Sequence, residues 1–377
     1  MPSKGLVLLL DYSPQFWRSL DDYHFLLCKR LKEQDIEPIM VYSRAIPDDV
    51  RRRVETSGAI VEVNDFGQGI LSYYHHLQRI VRQRNVQLAH VCFFDYFSPV
   101  AWLARLSGVR RIVFYEQNSG IPRATSWRRF LLLCRSKAMT FPLMSVIAMS
   151  DFVRQTLISM GIDQAKISLA PGGVDTERFA PDPEVRCAFQ RDYQIEPDEL
   201  ILAAVAFLLP WKHPEVLVEA CALLDQRGIR TRLFIAGDGP LEDSLKELTR
   251  TLAIEARVHW MGRYPTPEKL YQACDIYLLA SVGEAFGVVL TEAQSCGAPV
   301  VASRSGGIPE IIDDGRTGLL ATPLDPSSFA DAIERLARNP ALRTQMGRSG
   351  RQRMIQHFTV EKSVEKTLAV YETMWRR

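Results

Sequence analysis

The chain has 377 residues, of which 47% are hydrophobic and 24% charged, with a formal net charge of +2. That is the composition of a globular protein long enough for two domains with proper cores. It excludes a disordered chain, gives no global argument for nucleic acid as a partner, and holds no run of ~18 apolar residues that could cross a bilayer.

In chain order, the opening MPSKGLVLLLDYSPQFW has too short an apolar run before Asp11 for a signal peptide, and predicts a first strand over 4–10. A helix over 19–32 and a strand over 36–42 follow. Strands at 60–63, 88–94, 111–115 and 146–149 alternate with helical stretches near 70–84, 98–106 and 126–139. The second half repeats the plan, with strands at 200–207, 232–236, 258–261, 276–279, 300–302 and 318–321. Short Val-, Ile- and Leu-rich strands separated by helices predict parallel sheets covered on both faces. The polar, proline-bearing stretch 179–197 predicts an interdomain linker. The expected division is a first α/β domain over 1–178, that linker, a second α/β domain over 198–356, and a last segment, 357–377, whose helix returns to the first domain. Two doubly wound domains imply a ligand cleft beyond the carboxyl ends of their strands.

The first 180 residues carry 23 basic against 17 acidic side chains, and the remainder 23 against 27. A modestly basic first half favours an anionic ligand or surface. The seven cysteines are scattered, with no CxxC pair, which predicts buried thiols in a reducing cytosol and no zinc site.

The most informative segment is SVGEAFGVVLTEAQSCG, 281–297. An apolar strand leads into it, and after Gly287 the pattern turns to an amphipathic helix that stops at Gly297. Glu284 then sits on the strand-to-helix loop and Glu292 about two turns into the helix. The N–H groups at the helix start, near Val288, Val289 and Leu290, form an anion site, and Gly287 has no side chain to block a phosphate. A carboxylate on either side of a phosphate cradle suits a nucleotide-sugar, one for sugar hydroxyls and one for a ribose diol.

This segment resembles the E-x-F-G-x-x-x-x-E-A signature of the family-4 retaining glycosyltransferases, and four further stretches are similar to that family in the same order. They are VIAMSDFV (146–153), APGGVDTERF (170–179), LFIAGDGP (233–240) and SRSGGIPEIIDDGRTGLL (303–320). The resemblance implies the GT-B fold, two Rossmann-like doubly wound parallel-sheet domains facing a central cleft. It also implies transfer of a sugar, with retention, from a UDP- or GDP-linked donor to a hydroxyl of a saccharide or lipid-linked acceptor in cell-surface polysaccharide assembly. Glu284 would hold donor-sugar hydroxyls, Phe286 and Gly287 would offer backbone N–H groups to the sugar, and Val288 and Val289 theirs to the diphosphate. Glu292 would bind the ribose diol, and Lys212 would neutralise the leaving group, where charge grows in the transition state. The loop holding Arg263 and Tyr264 occupies the place that contacts the base. No cofactor and no catalytic metal are expected.

The chain departs from the pattern at several places, among them Gly172, which stands where the family's crossover has an asparagine. Ala206-Phe207-Leu208 replaces the family's G-R-L, so a phosphate-binding arginine is missing; Asp11–Trp17 replaces a Gly-Gly loop; and Glu116-Gln117-Asn118 stands where many members have a histidine. Glu116 and Gln117 are acceptor-side candidates by position, although Glu116 reads more readily as a cap or loop charge than as a base. Gly306-Gly307 is open to two readings, a plain turn or part of the phosphate site. The run 127–137, with Arg123 before it, is either an interfacial helix for an anionic membrane or a helix covering the sheet. The expected location is the cytoplasm, at the inner face of a membrane in the first of those cases. A non-catalytic nucleotide-sugar scaffold and a GT-B epimerase are the alternative functions.

Overall fold

Seven short strands, mostly apolar in sequence, form the first sheet. They are β1 (Lys4–Leu10), β2 (Ile36–Tyr42), β3 (Ile60–Val63), β4 (Val86–Cys92), β5 (Arg111–Glu116), β6 (Ser145–Ala148) and β7 (Ile167–Leu169), in the order β3-β2-β1-β4-β5-β6-β7. All neighbours are parallel. β1 is buried from Gly5 to Leu10, as a strand covered on both faces must be. Pro38, with no N–H to give, comes before Ile39–Tyr42, the stretch of β2 that pairs with β3. These coordinates come from a computed structural model, which describes residues 4–94, 98–117 and 145–376. The run 123–137 therefore lies outside the described residues.

The second sheet has β8 (Leu200–Val205), β9 (Thr231–Ala236), β10 (Val258–Gly262), β11 (Ile276–Leu279), β12 (Val300–Ser303) and β13 (Gly318–Ala321). Its order is β10-β9-β8-β11-β12-β13, again parallel. The chain builds outward from β8 to β10, then returns to place β11 on the other side of β8. That reversal is the topological switch point of a doubly wound sheet, and the loops after β8 and β11 flank it. Beneath them, Leu202, Leu233, Ile235 and Leu278 of the strands pack with Val218, Phe329 and Ile333 of covering helices.

Two compact units divide the chain, Met1–Gly172 with Val360–Arg377, and Gly173–Thr359. The helix Val360–Trp375 lies with the first unit, where Tyr23 Oη and Thr367 Oγ1 are 2.8 Å apart and Arg111 donates to Met374 O at 2.8 Å. The stretch 179–197 is not a free linker. It holds a helix, Pro183–Asp192, capped by Asp182, whose Phe189 lies 4.4 Å from Tyr193 and 4.8 Å from Phe234 between ring centroids. Residues 173–179 also belong to the second unit: Val174 donates to Phe358 O, Ser295 to Phe179 O, and Arg351 to Thr176 O and Phe179 O. The polar composition that suggests a linker is the outer face of this helix, whose only fully buried residue is Phe189.

Candidate active site

Three loops at the carboxyl edge of the second sheet converge. After β8 the chain runs through a single turn, Pro210–Lys212, and then swings into the helix Pro214–Gln226 at His213, whose φ of 48° is left-handed. After β11 comes 280–287, and after β12 comes 304–307. Val282 donates to Trp211 O at 3.0 Å, which ties the first loop to the second. Ser305 Oγ accepts from Gly283 N at 3.0 Å and Gly307 donates to Glu284 O at 2.8 Å, which tie the third to the second.

The result is a direct pair: Lys212 Nζ donates to Glu284 Oε2 at 2.6 Å, both side chains being nearly nine-tenths buried. The ammonium also lies 3.9 Å from the ring centroid of Trp211, a cation–π contact that fixes it further. Sequence reasoning expects Lys212 and Glu284 to serve different parts of a ligand and does not foresee that they hold each other.

The Gly306-Gly307 question has a physical answer. Gly306 has φ +61°, and a Cβ there would lie 2.2 Å from Glu284 O and 2.7 Å from Glu284 N. The glycine is required so that the third loop can press against the peptide carrying Glu284. It is more than a bare turn.

Gly287 (φ +102°) precedes the helix Val288–Ser295. Leu290 N–H is taken by Gly287 O at 2.9 Å, which removes it from the expected anion-binding set and leaves Val288 and Val289 at the helix start. Phe286 is fully buried, 5.9 Å from the Phe358 ring, so its side chain anchors the loop and only its backbone can serve a ligand. Glu292 sits in the second turn of that helix, buried, and accepts from Tyr271 Oη at 2.6 Å. Burial first, and the neighbouring Glu292 charge second, hold the Tyr271 phenol well above its usual range, so it stays a donor. Nothing in the motif points to Tyr271; its helical spacing only marks it as core.

Arg263, mostly exposed, donates to Asp238 Oδ2 at 2.7 Å and 3.1 Å, joining the turn after β9 to the one after β10. Tyr264 beside it is half-buried, and burial raises its phenol. Arg304 and Arg316, the arginines of the segment 303–320, are paired with carboxylates, Arg304 with Asp314 and Arg316 with Asp313 at 3.6 Å. Among the described residues, no group of three or more His, Cys, Asp or Glu is placed to hold a metal ion.

In the first unit Glu116 ends β5 and is buried, in register with Ala148, and Gln117 follows it, half-buried. The loop after β1 packs inward instead of lying open. Tyr12 donates to Asp21 Oδ1 at 2.6 Å and stacks on His24, whose Nδ1 is 3.4 Å from the hydroxyl. Burial pushes Asp21 up to about 6 and His24 down to about 3.

The chain resembles known proteins in sequence and in fold. The family "Glycosyl transferases group 1" matches residues 186–353, and "Glycosyltransferase Family 4" matches residues 23–178. A D-inositol 3-phosphate glycosyltransferase of Actinosynnema mirum is 36% identical over 245 residues, 60% of this chain and 56% of that protein. The chain thus spans little more than half the length of such relatives. A GDP-mannose-dependent alpha-(1-6)-phosphatidylinositol monomannoside mannosyltransferase of Mycolicibacterium smegmatis is 30% identical over 293 residues, 73% of each chain. Among solved structures, Anabaena HepE in complex with UDP-glucose has a TM-score of 0.83 at 19% identity, covering 98% of this chain and 99% of that one.

Proposed function

Because the chain belongs to glycosyltransferase family 4, we propose that it transfers a sugar from a nucleoside diphosphate sugar to an acceptor hydroxyl, with retention of the anomeric configuration. The observation that carries this reading is the Lys212–Glu284 pair, 2.6 Å long, on the loops that flank the switch point. The start of the helix Val288–Ser295 lies four residues beyond Glu284, and Glu292 is on its second turn.

In this reading the donor diphosphate takes Lys212 from Glu284. A fixed ammonium and the Val288 and Val289 N–H groups then meet the charge that grows as the sugar–phosphate bond breaks. Glu284, released, accepts from hydroxyls of the donor sugar and orients its anomeric carbon. Departure of the diphosphate and entry of the acceptor hydroxyl on the same face give retention, and the leaving phosphate oxygen takes the acceptor's proton. Glu292 accepts from the ribose, and the loop with Arg263 and Tyr264 flanks the base. The relative from M. smegmatis is named for GDP-mannose and HepE holds UDP-glucose, so a nucleoside diphosphate is the group common to both. The acceptor is a saccharide or lipid-linked hydroxyl of cell-surface polysaccharide assembly, bound by the first unit beside Glu116 and Gln117. The missing arginine makes Lys212 the main side-chain cation for the diphosphate, with no metal required.

The test is release of nucleoside diphosphate from a panel of UDP-, GDP- and ADP-sugars, with saccharide acceptors present. At least one donor should turn over, and Lys212→Ala or Glu284→Ala should lower kcat by about a hundredfold or more. The anomeric coupling constant of the product reads retention. Tight donor binding with no turnover across the panel would mean a scaffold, and undiminished turnover in Glu284→Ala would remove that residue from the site.

A further inference from the structure

Glu292 is held in place by a residue that no motif includes. Tyr271 stands on the helix Pro267–Ala273, away from the 281–297 segment in sequence, and is 1% exposed. Its ring is gripped by Tyr277 of β11, edge-on at 5.3 Å between centroids, and by Phe179 at 6.1 Å. Tyr277 is itself fixed, its hydroxyl 3.2 Å from both Val205 N and Val205 O. The phenol that reaches Glu292 Oε2 at 2.6 Å is therefore carried on a chain of packed rings rooted in the sheet. A carboxylate on a helix has three rotatable bonds, and a donor on one oxygen fixes both its rotamer and the plane in which the other oxygen presents its lone pairs.

We propose that Tyr271 is a positioning residue that aims Glu292 at the ribose and thereby sets the enzyme's preference for ribonucleotides over deoxyribonucleotides. This rests on the reading of Glu292 as the ribose ligand. A diol is recognised by a carboxylate only when two acceptor directions match two hydroxyls at once. A carboxylate free to rotate keeps its charge but loses that match. The role of Tyr271 is accordingly geometric, and its removal affects binding of the nucleoside more than the chemical step.

The probes are UDP, GDP and ADP, each with its 2′-deoxy counterpart, titrated calorimetrically against the whole chain. For the nucleotide that binds, wild type should favour the ribose form by about tenfold, the worth of one charge-assisted hydrogen bond. Tyr271→Phe should weaken the ribose form by a similar factor and bring the ratio near one, while kcat with the matching sugar donor changes less than twofold. Tyr277→Phe, which keeps the ring on β11 that packs against Tyr271 and removes only the hydroxyl at Val205, should keep the ratio and serves as the control for lost polar contacts in the same cluster. In a Glu292→Ala background, Tyr271→Phe should have no further effect on the ratio. Three results overturn the proposal: a ratio unchanged in Tyr271→Phe, a ratio lost equally in Tyr277→Phe, or a further effect in the double variant. Wild type that binds a nucleotide without discrimination removes Glu292 from the ribose, and wild type that binds none removes the donor reading itself.

Discussion

At residue scale, the site is a set of close approaches more than a set of charges. Lys212 and Glu284 neutralise each other in a partly desolvated place, where an unmatched charge costs several kcal/mol and a matched pair little. Their geometry depends on Gly306, which lets the third loop reach Glu284's own peptide. Gly306→Ala forces a methyl group to 2.2 Å from a carbonyl oxygen at a φ of +61°, and the obstacle is backbone, not a flexible side chain. The expected outcome is a loss of about 1–3 kcal/mol in the stability of the second unit. Donor kcat/KM should fall at least tenfold, because the loop can yield only by moving Glu284. Urea unfolding and steady-state kinetics measure the two. A variant with native stability and activity would show that the loops are not coupled. Glycine's role here was not legible in the sequence, since a glycine pair next to a phosphate motif and one against a peptide look alike until the neighbour is known.

At the scale of elements, strands were legible because a strand buried on both faces shows as an unbroken apolar run. β1, β2, β3, β11 and β13 fall on their expected residues, the other expected strands differ only at their ends, and β7, three residues long with none buried, is not foreseen. Short polar elements were harder to see. The helix Asp48–Glu55 has only Val50 and Val54 buried, and Pro183–Asp192 only Phe189, so neither makes an apolar stripe wide enough to stand out. The second reads as a linker for that reason. The signals that identify it are local ones, Asp182 accepting from Glu184 N and Val185 N with Pro183 at the first helical position. The difference can be measured. Phe189→Ala should destabilise the second unit by about 3–4 kcal/mol, as for a core aromatic. A true linker would give a change within about 0.5 kcal/mol. In the candidate site, the family resemblance points to Glu284, Glu292 and Lys212 one by one. The contact between Lys212 and Glu284 joins loops more than seventy residues apart, and no spacing rule encodes it.

At the scale of the whole molecule, the two units repeat one topology but differ in how they hide their ionisable groups, and that difference should appear as acid sensitivity. The first unit buries two neutral imidazoles. Desolvation holds His24 and His90 near 3, His90 with a further push from His24. Around them stand Tyr12, Tyr23, Tyr115 and Tyr371, none of which offers a negative charge near neutrality. In the unfolded chain each imidazole takes up a proton near pH 6.5, so the unfolded state binds more protons and stability falls as pH drops from there towards 3. Asp21 acts in the opposite sense. Raised to about 6, it is protonated first in the folded state and regains stability between pH 6 and its unfolded value near 4. Two protons against one leaves a net loss on the order of 4 kcal/mol between pH 7 and pH 4. In the second unit His259 is half-buried and its pKa is lowered, by burial first and then by Arg232, so its contribution has the same sign but a smaller size. Acid should therefore open the first unit before the second. Urea unfolding between pH 7 and pH 4, followed by hydrogen exchange resolved for each unit, should show protection lost first around β1, β4 and the helix Ser19–Glu33. His24→Phe, which keeps an aromatic ring against Tyr12, should reduce the pH slope of the first unit by about 1.4 kcal/mol per pH unit. An unchanged slope, or earlier loss in the second unit, would show that these imidazoles do not control acid unfolding.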